Sequence, residues 1–199
     1  MGTRITCENY FVRVSFVNEV IVKVAAGDGH SLFLTNSGVV YGVGRNIEGQ
    51  LGVGDIINRN CITPITSLSG IVIEKIYCGL NYSMFIEKTT GKVYVCGNNV
   101  WGQLGIGDTV NRTTATLLTY FTITNIQVIV DISPSSYHTH FITATGTVFG
   151  CGAQHDGRLG NSSVATTGIY TPFQIASTIL INIKKIVASD PSTLFLKTT

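Results

Sequence analysis

Charge is what this chain has least of. Only 12% of its 199 residues are Asp, Glu, Lys or Arg, against 44% hydrophobic residues. A disordered segment shows the reverse balance, so disorder is excluded and there is ample apolar material for a core. The 13 basic residues are scattered, Lys184 and Lys185 are their one adjacent pair, and the net charge is +2. A nucleic-acid surface carries a clustered basic footprint, so no nucleic-acid partner is expected. Long apolar runs are also missing. Tyr10 to Ala26 comes nearest, but Arg13, Asn18, Glu19 and Lys23 interrupt it. A membrane span needs roughly 20 nearly uninterrupted apolar residues, so neither a span nor a signal peptide is expected.

Several chemical signatures are absent as well. No glycine-rich segment ends in Gly-Lys-Ser/Thr, and no Gly-x-Ser-x-Gly elbow occurs. This removes the usual phosphate cradle and the usual serine nucleophile. No cofactor is expected. The five cysteines, Cys7, Cys61, Cys78, Cys96 and Cys151, are odd in number and contain no Cys-x-x-Cys pair. They are read as packing thiols rather than disulfides or metal ligands. Unpaired thiols suit a reducing compartment, so an intracellular location, cytoplasmic or nuclear, is expected. Three Asn-x-Ser/Thr triplets, headed by Asn81, Asn111 and Asn161, occur at about the frequency of chance in so Ser/Thr-rich a chain.

What is present is a repeat. Gly44 to Asp55 reads G-R-N-I-E-G-Q-L-G-V-G-D, and Gly97 to Asp108 reads G-N-N-V-W-G-Q-L-G-I-G-D. A degraded copy follows at Gly152 to Ser163, G-A-Q-H-D-G-R-L-G-N-S-S, giving offsets of 53 and 55 residues. Other columns keep the period: Val24, Ile76, Ile132 and Ile186, then Phe33, Phe85, Phe141 and Phe195. A self-similar period of this size signals a repeat architecture. Each unit holds short runs rich in β-branched and aromatic residues, such as H-S-L-F-L-T, followed by a turn glycine (Gly38, Gly91, Gly146) and a second run. That is a β-hairpin pattern. No stretch carries a helical period. Periodic glycine and aromatic residues with about four strands per unit predict propeller blades.

The expected fold is therefore all-β: a partial or small β-propeller of about three and a half repeats with four-stranded antiparallel blades. The expected boundaries are 24–75, 76–131 and 132–185 for three repeats, with a truncated fourth at 186–199. Residues 1–23, including Phe11 to Phe16 and Glu19 to Lys23, are expected to supply strands that complete a preceding blade. Three and a half units leave two raw sheet edges. A fragment, an unusually small ring, or a homodimer completing one ring of about seven blades would each resolve them.

The block V-A-A-G-D-G-H-S-L-F-L-T followed by G-Q-L-G closely resembles the regulator of chromosome condensation repeat family. The resemblance spans Val24 to Thr199. Repeats of the Trp-Asp type run about 40–45 residues, and this chain has one Trp, Trp101, and no Trp-Asp pair. The resemblance implies a propeller, usually seven-bladed, whose blades are closed by strands borrowed from neighbouring repeats. In members acting as exchange factors for the small GTPase Ran, acidic and His residues in turns on one face touch the GTPase. Asp28 and His30 match that pattern, with Gly29 between them a further candidate contact, and Asp190 matches its acidic position alone, whereas Leu80 and Ser136 do not. A further family role, ultraviolet sensing through clustered Trp, does not fit a chain with Trp101 alone.

The residues themselves also carry a structural reading. Asp28 to His30 reads as a tight turn in which the His side chain bonds a nearby backbone group, and His138 recurs in the His30 column. Arg59 and Arg112 each stand four residues after an Asp, Asp55 and Asp108, and read as ties across a loop or as partner-binding residues. His138, His140 and His155 lie close in sequence, but no Cys or carboxylate completes a recurring set, so no metal is expected. The combined expectation is a non-catalytic protein-interaction scaffold. The alternative is a nucleotide-exchange factor for a Ran-like small GTPase.

Overall fold

The computed structural model describes residues 19–123, 128–160, 167–175, 183–190 and 192–197. The proposed strand at 11–16 and the segment 161–163 lie outside them. Three four-stranded antiparallel sheets follow one another along the chain, then a two-stranded one. The first contains β1 (Ile21–Ala26), β2 (His30–Thr35), β3 (Val40–Gly44) and β4 (Arg59–Pro64). The second contains β5 (Ile73–Cys78), β6 (Tyr82–Glu87), β7 (Val93–Gly97) and β8 (Arg112–Leu117). The third contains β9 (Ile129–Pro134), β10 (His138–Thr143), β11 (Val148–Ala153) and β12 (Gly168–Gln174). The last pair is β13 (Ile183–Ala188) and β14 (Thr193–Lys197). Strands within each sheet run in sequence order, so each blade is a contiguous meander.

The blade boundaries fall three residues before the expected ones, at Ile21, Ile73, Ile129 and Ile183. The recurring column Val24, Ile76, Ile132 and Ile186 marks the middle of each first strand rather than its start. In particular, Ile21 and Lys23 pair with Thr35 and Leu34 inside the first sheet. They do not complete a preceding blade.

The hairpins form where the turn glycines allow. Gly38, Gly91 and Gly146 take φ of +86°, +66° and +78°, a region in which an L side chain clashes with its own backbone. The core lies between the sheets. Leu32, Leu34 and Val40 of the first pack against Ile76, Phe85 and Cys96 of the second. Met84, Ile86 and Val95 of the second pack against Ile132, Phe141 and Cys151 of the third. Ile142 and Val148 of the third meet Ile183 and Ile186 of β13. Burial of each such side chain stabilises the stack by about 1.5–3 kcal/mol. The first strands β1, β5, β9 and β13 contact one another in turn, so they form the inner wall of the arc.

The glycine-rich loops share one hydrogen-bond plan. Asn46 Oδ1 accepts from Leu51 N at 2.9 Å, and Asn46 Nδ2 donates to Asp55 O at 2.9 Å. Asn99 repeats both bonds with Leu104 and Asp108 at 3.0 and 2.9 Å. Each loop then overlaps the outer strand of the next blade: Gly54 N donates to Thr113 O and Gly107 N to Tyr170 O, both at 2.8 Å. A scaffold role explains why the loop recurs.

The cysteines are not all alike. Cys78, Cys96 and Cys151 are free thiols, as expected, but Cys61 on β4 is disulfide-bonded. The expectation of five unpaired thiols is corrected at Cys61. It failed because an odd count and the absence of a Cys-x-x-Cys pair do not report on residues brought together by folding.

Candidate partner-binding face

The turns joining first and second strands line up at one end of the arc. Each is closed by a backbone bond over three residues: Gly27 N to His30 O, Gly79 N to Tyr82 O and Ser135 N to His138 O, all at 2.9 Å, and Ser189 N to Ser192 O at 2.7 Å. Neighbouring turns are joined in turn. Asp28 N donates to Leu80 O at 2.8 Å, and Leu80 N donates to Ser135 O at 3.2 Å. The first three turns thus form a continuous backbone ledge rather than independent loops, and the fourth stands beside them. They surround an open concavity of about 390 Å³ that includes Asp28, Leu80, Ser136 and Asp190.

Glycine is required at the head of the first two turns for room. A Cβ on Gly27 would stand 2.3 Å from the His30 ring, and one on Gly79 would stand 2.1 Å from the Tyr82 ring. Those rings point inward, across the seam to the next blade. His30 Nε2 lies 3.1 Å from Ser83 Oγ, and Ser83 Oγ donates to Gln50 O at 2.7 Å. The single serine proton is used on Gln50, so His30 Nε2 must carry the proton it donates to Ser83. The third seam repeats this: His138 Nε2 lies 3.2 Å from Thr193 Oγ1, which donates to Arg158 O at 3.1 Å. In the second seam Tyr82 replaces the imidazole. Its hydroxyl lies 2.8 Å from His138 O and 2.9 Å from Thr139 Oγ1, and Thr139 donates to Gln103 O at 2.8 Å.

The structure thus corrects the expected His30 contact. Its partner is a side chain of the next blade, not a nearby backbone group. His30 is 2% exposed, and burial pushes its pKa down to about 4, against an opposing pull from Asp28. His138 is pushed to about 3 by burial and by the neighbouring His140, Arg158 and His155. Both rings are neutral latches between blades. Among the described residues, no cluster of three or more His, Cys, Asp or Glu has metal-binding geometry.

Of the other candidate residues, Asp28, Gly29 and Asp190 lie on the turns of the ledge and are exposed. Arg59 and Arg112 do not line the concavity. Each begins a fourth strand and is clamped by its own loop, Arg59 Nη2 by Asp55 Oδ2 at 2.6 Å and Arg112 Nη2 by Asp108 Oδ2 at 2.5 Å. The clamp lowers the Asp55 pKa, chiefly through the Arg59 hydrogen bond.

Each acidic turn residue faces an arginine that carries no repeat signature in the sequence. Arg45 Nη1 lies 3.5 Å from Asp28 Oδ2, with both side chains exposed. Arg158 Nη1 lies 2.9 Å from Asp190 Oδ1, and Arg158 Nη2 lies 3.2 Å from Asp156 Oδ2, with the guanidinium almost wholly buried. The two pairs differ in consequence. An exposed pair contributes about 0–1 kcal/mol, so the Asp28 carboxylate exchanges Arg45 for another cation at little cost. Asp190 neutralises a buried charge and is held by that role. The latch hydroxyls Ser83, Thr139 and Thr193 follow an unbroken column from Ser31, which was visible in the sequence but matches no motif.

Four-stranded meanders stacked around inner first strands, with glycine loops overlapping the next blade, define a β-propeller-type repeat protein. The chain belongs to the regulator of chromosome condensation (RCC1) repeat family, whose models match residues 21–50, 37–86 and 90–142. It is 32% identical over 171 residues to the dog X-linked retinitis pigmentosa GTPase regulator, covering 84% of this chain and 16% of that protein. It is 32% identical over 140 residues to the bovine secretion-regulating guanine nucleotide exchange factor, covering 69% and 29%. Human WBSCR16 superposes with a TM-score of 0.78 at 21% identity, over 90% of this chain and 45% of that one. Yeast RCC1 (Prp20), solved bound to Kap60, superposes at 0.75 and 21% identity, over 92% and 43%. The chain thus spans under a third of these two curated relatives and under half of these solved structures.

The family repeat and the blade are out of phase. Residues 37–86 take in β3 and β4 of one blade and β5 and β6 of the next. In that frame every shared blade takes strands from two repeats, as the resemblance implied, although each blade is contiguous in sequence. Among the described residues, no helix is long and apolar enough to cross a membrane.

Proposed function

We propose that the chain is a non-catalytic protein-interaction scaffold whose partner docks on the ledge of first turns. The observation that carries this reading is Asp28. Its carboxylate is exposed at the rim of an open concavity, on a backbone fixed by a hydrogen bond to the neighbouring turn, and among the described residues it is held by a weak surface pair with Arg45 alone. A rigid ledge loses little entropy on binding, and an exchangeable carboxylate suits a partner that presents Lys or Arg. The location proposed with this reading is intracellular, cytoplasmic or nuclear, against which the bonded Cys61 weighs, since that expectation rested on unpaired thiols.

The alternative is guanine-nucleotide exchange on a Ran-like small GTPase. Asp28 matches the acidic turn position that the family resemblance implies for GTPase contact, and one relative is named as an exchange factor. Leu80 and Ser136 weigh against it, because they leave the middle of the ledge uncharged.

One experiment separates the two readings. Ran loaded with a fluorescent guanine nucleotide is mixed with the purified chain, and both nucleotide release and binding are followed. Release that is accelerated by the wild type and lost in Asp28→Ala supports exchange and overturns the non-catalytic reading. Saturable binding without acceleration, weakened at least threefold by Asp28→Ala, supports the scaffold. Binding indifferent to Asp28 would move the partner off this face.

A further inference from the structure

The glycine-rich loops align Glu48, Trp101 and Asp156 in one column, two residues before a column of Gln50, Gln103 and Arg158. In the first two loops the glutamine closes the turn. Gln50 Oε1 accepts from Glu48 N at 3.0 Å, and Gln103 Oε1 accepts from Trp101 N at 2.9 Å. Arginine offers no acceptor. In the third loop Arg158 instead donates from Nε to His155 O at 3.0 Å and from Nη2 to Asp156 Oδ2 at 3.2 Å. Asp156 takes φ of +62° there, alone among the described non-glycine residues. Arg in place of Gln thus gives the third loop's carboxylate a cation of its own.

The first loop has the carboxylate without the cation. Glu48 is half-buried, and its Oε2 accepts from Asn111 Nδ2 at 2.6 Å, which bridges the first and second loops. A neutral amide leaves the charge uncompensated, and a half-buried charge favours a counter-charge. At this end of the arc Asp28, Asp55, Asp108, Asp156 and Asp190 each face an arginine, whereas among the described residues Glu48 forms no ion pair. Two aliphatic side chains flank the bridge: Ile47, beside Glu48, is 48% exposed, and Val110, beside Asn111, is 62% exposed. The loops on both sides of the bridge, 44–58 and 97–111, lie wholly within the described residues. Gln50 Nε2 reaches Asn81 Oδ1 of the second turn at 3.5 Å, so the bridge adjoins the ledge.

We propose that Ile47, Glu48, Asn111 and Val110 form a docking site for an arginine side chain of a protein partner. The aliphatic stem of that side chain lies across Ile47 and Val110 while its guanidinium meets the Glu48 carboxylate. The third loop is the template, since a guanidinium already satisfies the carboxylate of the same column there. In the first loop Gln50 stands where Arg158 stands in the third, so the cation comes from outside. The site extends the docking face proposed above and rests on that reading for the partner's approach to this end.

The test is a proton–nitrogen NMR titration of the whole chain with a capped Ala-Ala-Arg-Ala-Ala peptide, against the same peptide carrying Gln in place of Arg. The expected result is saturable movement of the Ile47, Glu48, Val110 and Asn111 signals with the arginine peptide and none with the glutamine peptide. Glu48→Gln and Val110→Ser should each weaken binding at least threefold. Glu74→Gln, which removes an exposed carboxylate on β5, should leave it unchanged. Absence of saturable movement at these residues overturns the proposal. So does equal sensitivity to Glu74→Gln, which would show general attraction between charges, or indifference to Val110→Ser. Movement confined to Asp28 and Gly29 and lost in Asp28→Asn overturns it and leaves the ledge reading standing. Movement at Glu48 that persists in Asp28→Asn sustains it even where the ledge reading has failed.

Discussion

The Tyr82 hydroxyl lies 2.8 Å from the carbonyl oxygen of His138, one blade further along the chain, and also accepts a hydrogen bond from Ser135 N at 3.1 Å. Tyr82 is fully buried, so these groups have no water to turn to. Tyr82→Phe should keep the ring packing and leave buried polar groups short of a partner. The expected loss is about 1–3 kcal/mol, read as a lower urea midpoint with an unchanged slope.

Seams latched by histidine should respond to acid where the tyrosine seam does not. The folded-state pKa of His30 is about 4, below the ordinary value near 6.5. The unfolded chain therefore binds its proton first as pH falls. The latch contributes its full stability above about pH 6.5 and loses it as pH falls toward 4. The loss amounts to on the order of 3 kcal/mol for His30. The melting temperature of the wild type should decline over that window. His30→Asn should start lower and decline less steeply, and an unchanged slope would refute the assignment.

Two glycines with similar φ should differ sharply when replaced. Gly97 and Gly70 have φ of +102° and +80°. A Cβ at 97 would stand 2.6 Å from Asn81 O and from Tyr82 Cα, whereas one at 70 would meet nothing within 4 Å. Gly70→Ala should cost about 1–2 kcal/mol from backbone conformation alone. Gly97→Ala should cost clearly more, because it also pushes the second-blade turn off the ledge. Paired denaturation curves check this.

Thiol labelling should sort the described cysteines into two groups. Burial pushes the Cys78 thiol up to about 12 and pushes Cys96 and Cys151 higher still. The nucleophile is the thiolate, so native protein at pH 8 should leave all three unmodified by iodoacetamide over minutes. Cys61 should react only after reduction, because it is disulfide-bonded. Peptide mass spectrometry after each step reads the outcome, and early labelling of Cys96 would contradict its burial.

The repeat period, the strand count per unit and the propeller class were legible in the residues, because blades built alike must place glycine, Phe and Leu in the same columns. The Asp55–Arg59 and Asp108–Arg112 ties were legible for the same reason, since both partners lie within one loop. The blade starts were read three residues late, because the strongest column marks a buried strand centre and not a strand end. His30 was assigned a local bond, although its partner Ser83 stands 53 residues away.

The sequence by itself determined the blade: its hairpins, its glycine loop and which face of each strand is apolar. These depend on contacts between residues close along the chain, where alternation and turn chemistry suffice. Only the tertiary structure decided what joins one blade to the next and what the ledge presents. The imidazole–hydroxyl–carbonyl latches join residues that meet after stacking, and the Arg45 and Arg158 partners of the two acidic turns come from segments distant along the chain. One-dimensional spacing carries no record of which side chain will face another across a seam.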